Sequence, residues 1–141
     1  MILGVQMAVS RCLHPLVKLS PSLAKSLIPL LIEQLLSASK YGDRRGAAYG
    51  LAGVVKGGGS KYLCLLNIRL LRECGIMSSL QEAIEDKKNP EKREGALIAY
   101  ECLSFSLGRL FEPYIIQMIP LLLSTFGDPN KDVRDATQDG S

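Results

Sequence analysis

Long apolar segments alternate with short polar segments along this chain, and two of the apolar segments are near copies of each other. The strings AKSLIPLLIEQLL and YIIQMIPLLLSTF share Ile-Pro-Leu-Leu, which begins at Ile28 in the first and at Ile119 in the second, 91 residues later. Proline inside a helix removes one backbone hydrogen bond and kinks the helix. The string CGIMSSLQEAIEDKK lies between the two and occupies the equivalent place without the proline. These segments predict the first helix of a repeating unit.

A second pattern, a basic residue followed two positions later by a small residue and then an apolar run, predicts the other helix of each unit. It occurs in GDRRGAAYGLAGVV, with Arg44 and Gly46, and in PEKREGALIAYECL, with Arg93 and Gly95. NKDVRDAT repeats it at Arg134, and GVQMAVSRCL near the start of the chain is a weaker copy. Successive copies are separated by 38, 49 and 41 residues.

A period near 40 residues with two helices in each unit is typical of HEAT and armadillo stacks. The sequence therefore predicts an all-α fold, a right-handed α-α superhelix of about three helix pairs in which neighbouring pairs complete the core. Polar turns such as SASKYGD, EDKKNPEK and FGDPNKD join the two helices of a pair. The chain begins and stops inside a unit, so we expect a piece of a longer protein or a truncated paralogue. The predicted units cover about residues 1–19, 21–57, 62–110 and 113–141, with an atypical Gly-rich linker or insertion at 57–75.

The repeated arginine predicts a contact between units. In stacks of this kind, a ladder of aspartate and arginine side chains satisfies turn carbonyls and fixes the register of stacking. The alternative is that each of these charges is a solvated residue at the start of a helix. The candidate ladder residues are Asp43, Arg44, Arg93, Asp132 and Arg134.

The glycine-rich string GVVKGGGSK, residues 53–61, invites comparison with a phosphate-binding loop. Such a loop requires G-x-x-x-x-G-K-[ST] after a buried strand. Gly53 and Gly58 have that spacing, but Gly59 stands where lysine is required, and the serine and lysine that follow are in reverse order. The residues before the string have helical spacing. We therefore predict a helix that ends near Lys56 and is followed by a flexible turn, and we reject a nucleotide site.

Composition adds little chemistry to this picture. With 47% hydrophobic and 22% charged residues and a net charge of +3, the 141-residue chain is an ordinary globular sequence. No apolar run reaches the roughly 18 residues that a membrane span needs. The four cysteines form no Cys-x-x-Cys pair, and the single histidine, His14, has no partner for a catalytic triad. We predict a reduced, intracellular protein that is not an enzyme and has no cofactor or metal.

Basic residues gather at predicted helix ends and turns. Because equivalent turns line up along one edge of a stacked array, they could form a basic stripe that faces phosphates or an acidic protein. An ordinary solvated edge is the alternative. Aromatic residues are not interleaved with these charges, so we expect no sequence-specific contact with nucleic acid. The candidate edge residues are Arg45, Lys56, Lys61, Lys87, Lys88 and Lys92.

Aligned as repeats, the strings YGDRRGAAYGLAGVVKG, EAIEDKKNPEKREGAL and GRLFEPYIIQMIPLLLSTFGD resemble consecutive HEAT repeats of the general control nonderepressible family. The resemblance covers about residues 5–137. The matching region of that family is its central part, which is itself similar to the HEAT portion of fungal elongation factor three. Family members join the glycine-rich helix to Gly-Ile-Met by a shorter link than residues 58–74 provide here.

The resemblance implies a non-catalytic HEAT-repeat scaffold in translational control. Family members are co-activators of the kinase that phosphorylates the alpha subunit of translation initiation factor 2 during amino-acid starvation. They associate with ribosomes, so the implied partners are ribosomes or polysomes and that kinase, in the cytosol. The kinase-binding surface of the family lies in a more C-terminal segment than this one. The alternative function is a generic HEAT adaptor for protein cargo, of the transport or phosphatase-scaffold type.

Overall fold

The computed structural model describes residues 21–57 and 71–140, and every regular element in these two ranges is helical. The all-α prediction is therefore confirmed. A 3₁₀ turn at Gly108–Leu110 separates the fourth helix from the fifth. Besides the helical residues 71–73, the described ranges contain six helices: α1 (Pro21–Ser37), α2 (Tyr41–Gly57), α3 (Ile76–Glu85), α4 (Pro90–Leu107), α5 (Glu112–Thr125) and α6 (Lys131–Gly140).

The helices form three pairs that stack in two layers. Turns of a few residues join α1 to α2, α3 to α4 and α5 to α6, and such short connections make the paired helices antiparallel. The second helices stack in order, α2 against α4 and α4 against α6, while α3 lies between α1 and α5 in the other layer. This arrangement confirms the predicted HEAT superhelix.

Proline and glycine mark three of the helix boundaries. Pro90 opens α4 directly after Asn89, where the missing N–H of proline costs nothing. Gly75, with φ of 64°, precedes α3, and Gly108, with φ of 56°, ends α4. Both glycines adopt a left-handed backbone that side chains disfavour. The prolines within α1 and α5 confirm the predicted pattern.

A continuous apolar core fills the space between the two layers. Ile28 and Leu35 of α1, Leu51 of α2, Leu103 of α4 and Phe111 before α5 are all completely buried. No single pair contains this core, because its members come from all three pairs. Burial across pairs gives the stacking its driving force, since apolar area removed from water stabilises by about 25 cal/mol per Å².

Gly95 allows α1 and α4 to approach closely. A Cβ atom at this position would lie 2.7 Å from the carbonyl oxygen of Leu35 and 3.6 Å from Cδ of Arg44. Backbone atoms cannot be displaced as easily as the end of a flexible side chain. Gly95 of the Arg-x-Gly pattern thus has a packing role, at the place where the second helix pair meets the first.

The glycine-rich string lies partly in the described chain. Its first residues, from Gly53 to Gly57, form the last turns of α2 rather than a loop after a strand. This placement contradicts a phosphate-binding loop and agrees with the predicted helix end, one residue beyond Lys56. The rest of the string and most of the predicted insertion at 57–75 lie outside the described residues, and residues 71–73 are helical.

Candidate functional site

The three turns that join paired helices share one edge of the stack, here called the turn edge: residues 38–40, 86–89 and 126–130. They lie together because α2, α4 and α6 stack side by side and each begins directly after its turn. The opposite edge carries the C-terminal ends of α2 and α4. The predicted ladder arginines lie at the turn edge, each in the first turns of one of these helices.

Arg44 connects the first turn to the second helix pair. Its Nη1 donates to the carbonyl oxygens of Ala38 (3.1 Å) and Ser39 (3.0 Å), and its Nη2 donates to Oε2 of Glu94 (2.9 Å). Both side chains are nearly inaccessible to solvent, at 5% for Arg44 and 7% for Glu94. One guanidinium therefore satisfies two turn carbonyls of its own unit and reaches a carboxylate of the next.

Arg93 repeats this arrangement one unit later. Its Nη1 donates to the carbonyl oxygen of Asp86 (2.8 Å) in its own turn. Its Nε and Nη2 form a bidentate pair with the carboxylate of Asp128 in the third turn, at 2.8 and 3.0 Å. Arg134 completes the series, because its Nη1 donates to the carbonyl oxygen of Asp128 (2.6 Å).

The acidic partners differ from those that the sequence suggested. Among the described residues, the carboxylates paired with Arg44 and Arg93 are Glu94 and Asp128, whereas Asp43 and Asp132 lie in the first turns of α2 and α6. A carboxylate in a first turn complements the positive end of its own helix. The sequence carried a signal for Asp128, in the Asp-Pro turn, but none for Glu94.

The two ion pairs hold their carboxylates in different ways. Burial alone raises the pKa of Asp128, but the hydrogen bonds from Arg93 and from the backbone N–H of Asn130 outweigh it, so the pKa lies below the ordinary 3.8. Burial also raises the pKa of Glu94, and the single contact with Arg44 does not compensate, since Asp132 adds repulsion. That pKa lies above the ordinary 4.5. A bidentate pair stabilises the charged form better than a single contact does.

These shifts predict opposite effects on stability as the pH falls. The depressed pKa of Asp128 contributes stability that is present above pH 3.8 and is lost as the pH falls through the folded pKa. The raised pKa of Glu94 costs stability above its folded value, and protonation removes that cost as the pH falls toward 4.5. Urea unfolding between about pH 3 and 7 should show the acid loss of stability reduced in Asp128→Asn and increased in Glu94→Gln, because the glutamine variant no longer gains stability on acidification. If both variants lose the same amount of stability at acid pH, the opposite pKa shifts of Asp128 and Glu94 are wrong.

Exposed lysines lie in the first and second turns of the turn edge and directly after the third. Lys87 and Lys88 lie in the second turn, as predicted, and Lys92 in α4 has its Nζ 3.9 Å from Oδ2 of Asp86. Lys40 in the first turn and Lys131 directly after the third are exposed too, and the sequence analysis missed both. Each lies directly before, or at the first residue of, the second helix of a pair. An alignment of the turns would have shown this repeated position.

Arg45 and Lys56 do not belong to this basic edge. Arg45 donates to the hydroxyl oxygens of Tyr41 and Tyr49, both at 3.2 Å, and lies 3.7 Å from Oε2 of Glu101. Its positive charge is therefore paired within the contact between α2 and α4. Lys56 is exposed in the last turn of α2, about 24 Å along the helix from the turn edge. Lys61 lies outside the described residues.

No side-chain set in the described ranges has the composition of a metal site, since no group of three or more His, Cys, Asp or Glu residues comes together there. Burial raises the pKa of the Cys102 thiol to about 12, so this cysteine stays protonated at neutral pH. Within the same ranges, no helix has both the length and the hydrophobicity to cross a membrane. The described side chains of the site therefore offer ion pairs and surface charge.

Comparison with known proteins agrees with this architecture. Residues 44–141 match the family model described as EF3 N-terminal HEAT repeat. No solved structure matches the chain. The family match includes all three ladder arginines and the second and third turns of the turn edge.

Curated relatives are similar over nearly the whole chain. It is 48% identical, over 96% of its length, to the eIF-2-alpha kinase activator GCN1 of Dictyostelium discoideum, to the protein ILITYHIA of Arabidopsis thaliana and to the stalled ribosome sensor GCN1 of Homo sapiens. The match spans only 5% of the length of each of these relatives. The chain therefore belongs to the EF3 N-terminal HEAT repeat family, and it is similar to a short part of the GCN1 proteins.

Proposed function

We propose that this chain is a non-catalytic scaffold segment of translational control whose turn edge contacts the ribosome. The observation that carries the proposal is the set of exposed lysines, Lys40, Lys87, Lys88 and Lys131, which places at least one positive charge facing solvent in or directly after each turn. Similar proteins named stalled ribosome sensor supply the partner. Ribosomal RNA presents a phosphate backbone that such a row of cations complements.

The geometry favours contact with phosphates rather than recognition of bases. Lysine is a compact, mobile point charge, and phosphate contacts position a protein without reading sequence. The ladder beneath the lysines keeps the turns at fixed spacing, because Arg44 and Arg93 each join two units. A rigid array of cations fits a rigid array of phosphates without a large loss of conformational entropy on binding.

Kinase activation is proposed only for the longer protein in which such a segment works. The relative from Dictyostelium discoideum is named as an eIF-2-alpha kinase activator, and this chain spans 5% of it. In that setting the segment would hold ribosome-binding and kinase-binding parts at a defined distance, in the cytosol. A helical solenoid suits this role because its shape is set by contacts between neighbouring units.

A second candidate function is a generic HEAT adaptor that binds a basic protein segment. A groove of about 290 Å³ runs across α2, α4 and α6, and aspartates of α6 at positions 132, 135 and 139 line it together with Glu101. The spacing of the three aspartates places them on one helix face. This acidic groove would favour a lysine- or arginine-rich peptide and would repel RNA.

Polysome sedimentation separates the two functions. We expect the tagged chain to co-sediment with polysomes at low salt and to be released at high salt, because phosphate contacts depend steeply on ionic strength. The triple variant Lys40→Glu, Lys87→Glu, Lys88→Glu should stay in the supernatant at both salt concentrations. Its three substitutions are at exposed positions, so the fold is retained.

The matched control reverses three exposed charges on the opposite edge: Lys56→Glu, Arg72→Glu, Arg109→Glu. It has the same net charge as the triple variant and should sediment like the wild type. Equal loss of sedimentation in both variants would mean that only net charge matters. A folded wild-type chain that remains in the supernatant at low salt would remove ribosome contact from this segment and leave the adaptor function.

A further inference from the structure

The acidic groove across the second helices contains more negative charge than its own cations neutralise. Its walls are α2 and α6, which lie on either side of α4, and the buried Ile98 of α4 is part of its floor. Five carboxylates and two guanidinium groups line it. Arg44 is paired with Glu94, and Arg45 with Glu101. Among the described residues, no cation pairs with the remaining carboxylates, which are Asp132, Asp135 and Asp139.

This excess charge already acts on a side chain inside the groove. Burial raises the pKa of Glu94, and the negative charge of Asp132 raises it further. A cation in the groove would offset that repulsion, because a nearby opposite charge favours the ionised carboxylate. The groove therefore favours a cationic occupant and disfavours a phosphate.

Arg44 adds a second requirement for the occupant. It lines the groove and is 4% exposed, and its Nε is buried without a hydrogen bond to any described residue. Buried N–H groups almost always have an acceptor. An occupant that brings an oxygen atom to this nitrogen would supply one. A peptide meets both requirements, since it combines basic side chains with backbone carbonyl oxygens, whereas a polyamine has only the cations.

Tyr41 makes arginine a better occupant than lysine. This residue lines the α2 side of the groove and is 50% exposed, and its hydroxyl oxygen accepts a hydrogen bond from Nη1 of Arg45 (3.2 Å). The opposite side carries the aspartates of α6. A guanidinium group stacks on an aromatic ring and pairs with a carboxylate through two parallel hydrogen bonds. The ammonium group of lysine is a point charge without that planar shape.

We infer that the acidic groove binds an arginine-containing peptide segment of a partner protein, with guanidinium groups on Asp135 and Asp139 and a backbone carbonyl oxygen at Nε of Arg44. The two aspartates are one helical turn apart, about 6 Å along α6. Alternate residues of an extended peptide project from the same face at a spacing of about 6.6 Å. An Arg-x-Arg sequence therefore fits the pair. This inference rests on the adaptor function proposed above and does not require ribosome contact.

Titration of the ¹⁵N-labelled full chain, followed by NMR, tests the site with probes of equal charge. We expect acetyl-Gly-Arg-Gly-Arg-Gly-amide to bind, and the corresponding lysine peptide to bind about fivefold more weakly. The diamine 1,4-diaminobutane, which has two positive charges but no carbonyl, should bind more weakly still. The Nε–H signal of Arg44 should shift with the arginine peptide and not with the diamine.

Two variants assign the binding to the groove. The double variant Asp135→Asn, Asp139→Asn should weaken binding of the arginine peptide about tenfold or more, because it removes both carboxylates that pair with the guanidinium groups. Tyr41→Leu should reduce the preference for arginine over lysine, because it removes the ring. The control Glu33→Gln, Glu82→Gln removes two exposed carboxylates outside the groove and should leave the affinity within about twofold.

The possible failures are distinguishable. Equal weakening by the two double variants would show that only net charge matters and would overturn the site. Equal affinity for the arginine and lysine peptides, or an unshifted Nε–H signal of Arg44, would overturn it as well. Binding that does not depend on Asp135 and Asp139 would leave the adaptor function and remove this groove. If neither peptide binds, both the inference and the adaptor function are wrong, whatever the result of polysome sedimentation.

Discussion

Replacement of Arg93 by alanine is expected to lower the free energy of unfolding by about 3 kcal/mol or more. The variant leaves the carboxylate of Asp128 buried without its bidentate partner, and it leaves the carbonyl oxygen of Asp86 with only the 3.5 Å bond from the backbone N–H of Asn89. A buried charge that loses its partner costs far more than the net contribution of the pair.

Urea unfolding of Arg93→Ala, Asp128→Ala and the double variant measures this effect. The double variant should be less destabilised than the sum of the two single variants, because it no longer contains an unpaired buried charge. Arg109→Ala, at an exposed position in the 3₁₀ turn, is the control and should change stability by less than about 0.5 kcal/mol. A loss in Arg93→Ala no greater than that of the control would show that the ladder does not support the stack.

Substitution of Gly95 by alanine is expected to destabilise the chain by about 2 kcal/mol, although alanine is the better helix former. Within a helix, this change alone would stabilise by about 1 kcal/mol. Here the added Cβ would lie 2.7 Å from the carbonyl oxygen of Leu35, and relief requires α1 and α4 to move apart. The cost of overpacking therefore outweighs the gain in helix propensity.

Thermal unfolding of Gly95→Ala beside Gly127→Ala tests the close approach. At Gly127 the nearest atom to a new Cβ is the carbonyl oxygen of Ser124 at 3.9 Å, an ordinary contact, so this variant should unfold within about 0.5 kcal/mol of the wild type. A stabilised Gly95→Ala would mean that α1 and α4 are not held together at this point. The same result would weaken the packing role assigned to Gly95.

The predictions for Arg93 and Gly95 concern the same part of α4, where the second helix pair contacts the first pair and the third turn. Gly95 lies one residue from Glu94 and two from Arg93, so a single turn of α4 carries the close approach and both ion pairs. The Arg-x-Gly pattern thus combines two requirements of stacking. Arginine joins the turns, and Gly95 lets α1 and α4 come close to each other.

Much of the candidate site could be predicted from periodicity. The repeated positions of Arg44, Arg93 and Arg134 indicated side chains with a common role, and all three lie at turn carbonyls in the structure. Their acidic partners could not be predicted in the same way. Glu94 and Asp128 occupy different positions in their units, one in a helix and one in a turn, so no shared spacing links them.

The assignment of basic residues shows the same limit. A count of charges near helix ends grouped Arg45 and Lys56 with Lys87 and Lys88, because the sequence does not show which end of a helix shares an edge with which turn. The antiparallel pairing places Lys56 on the opposite edge. The exposed Lys40 of the first turn was left out of that group.

By itself, the sequence determined the all-α class, the period near 40 residues and the positions of the prolines and arginines, because these depend on local propensity and on repetition that can be read along one dimension. The tertiary structure decided which charges meet and which helix end lies on which edge. Those features join residues 35 and 50 positions apart, as in Arg93 with Asp128 and Arg44 with Glu94. Residues this far apart in the sequence meet only when one helix pair packs on the next, and the energy of their contact depends on the burial that this packing creates.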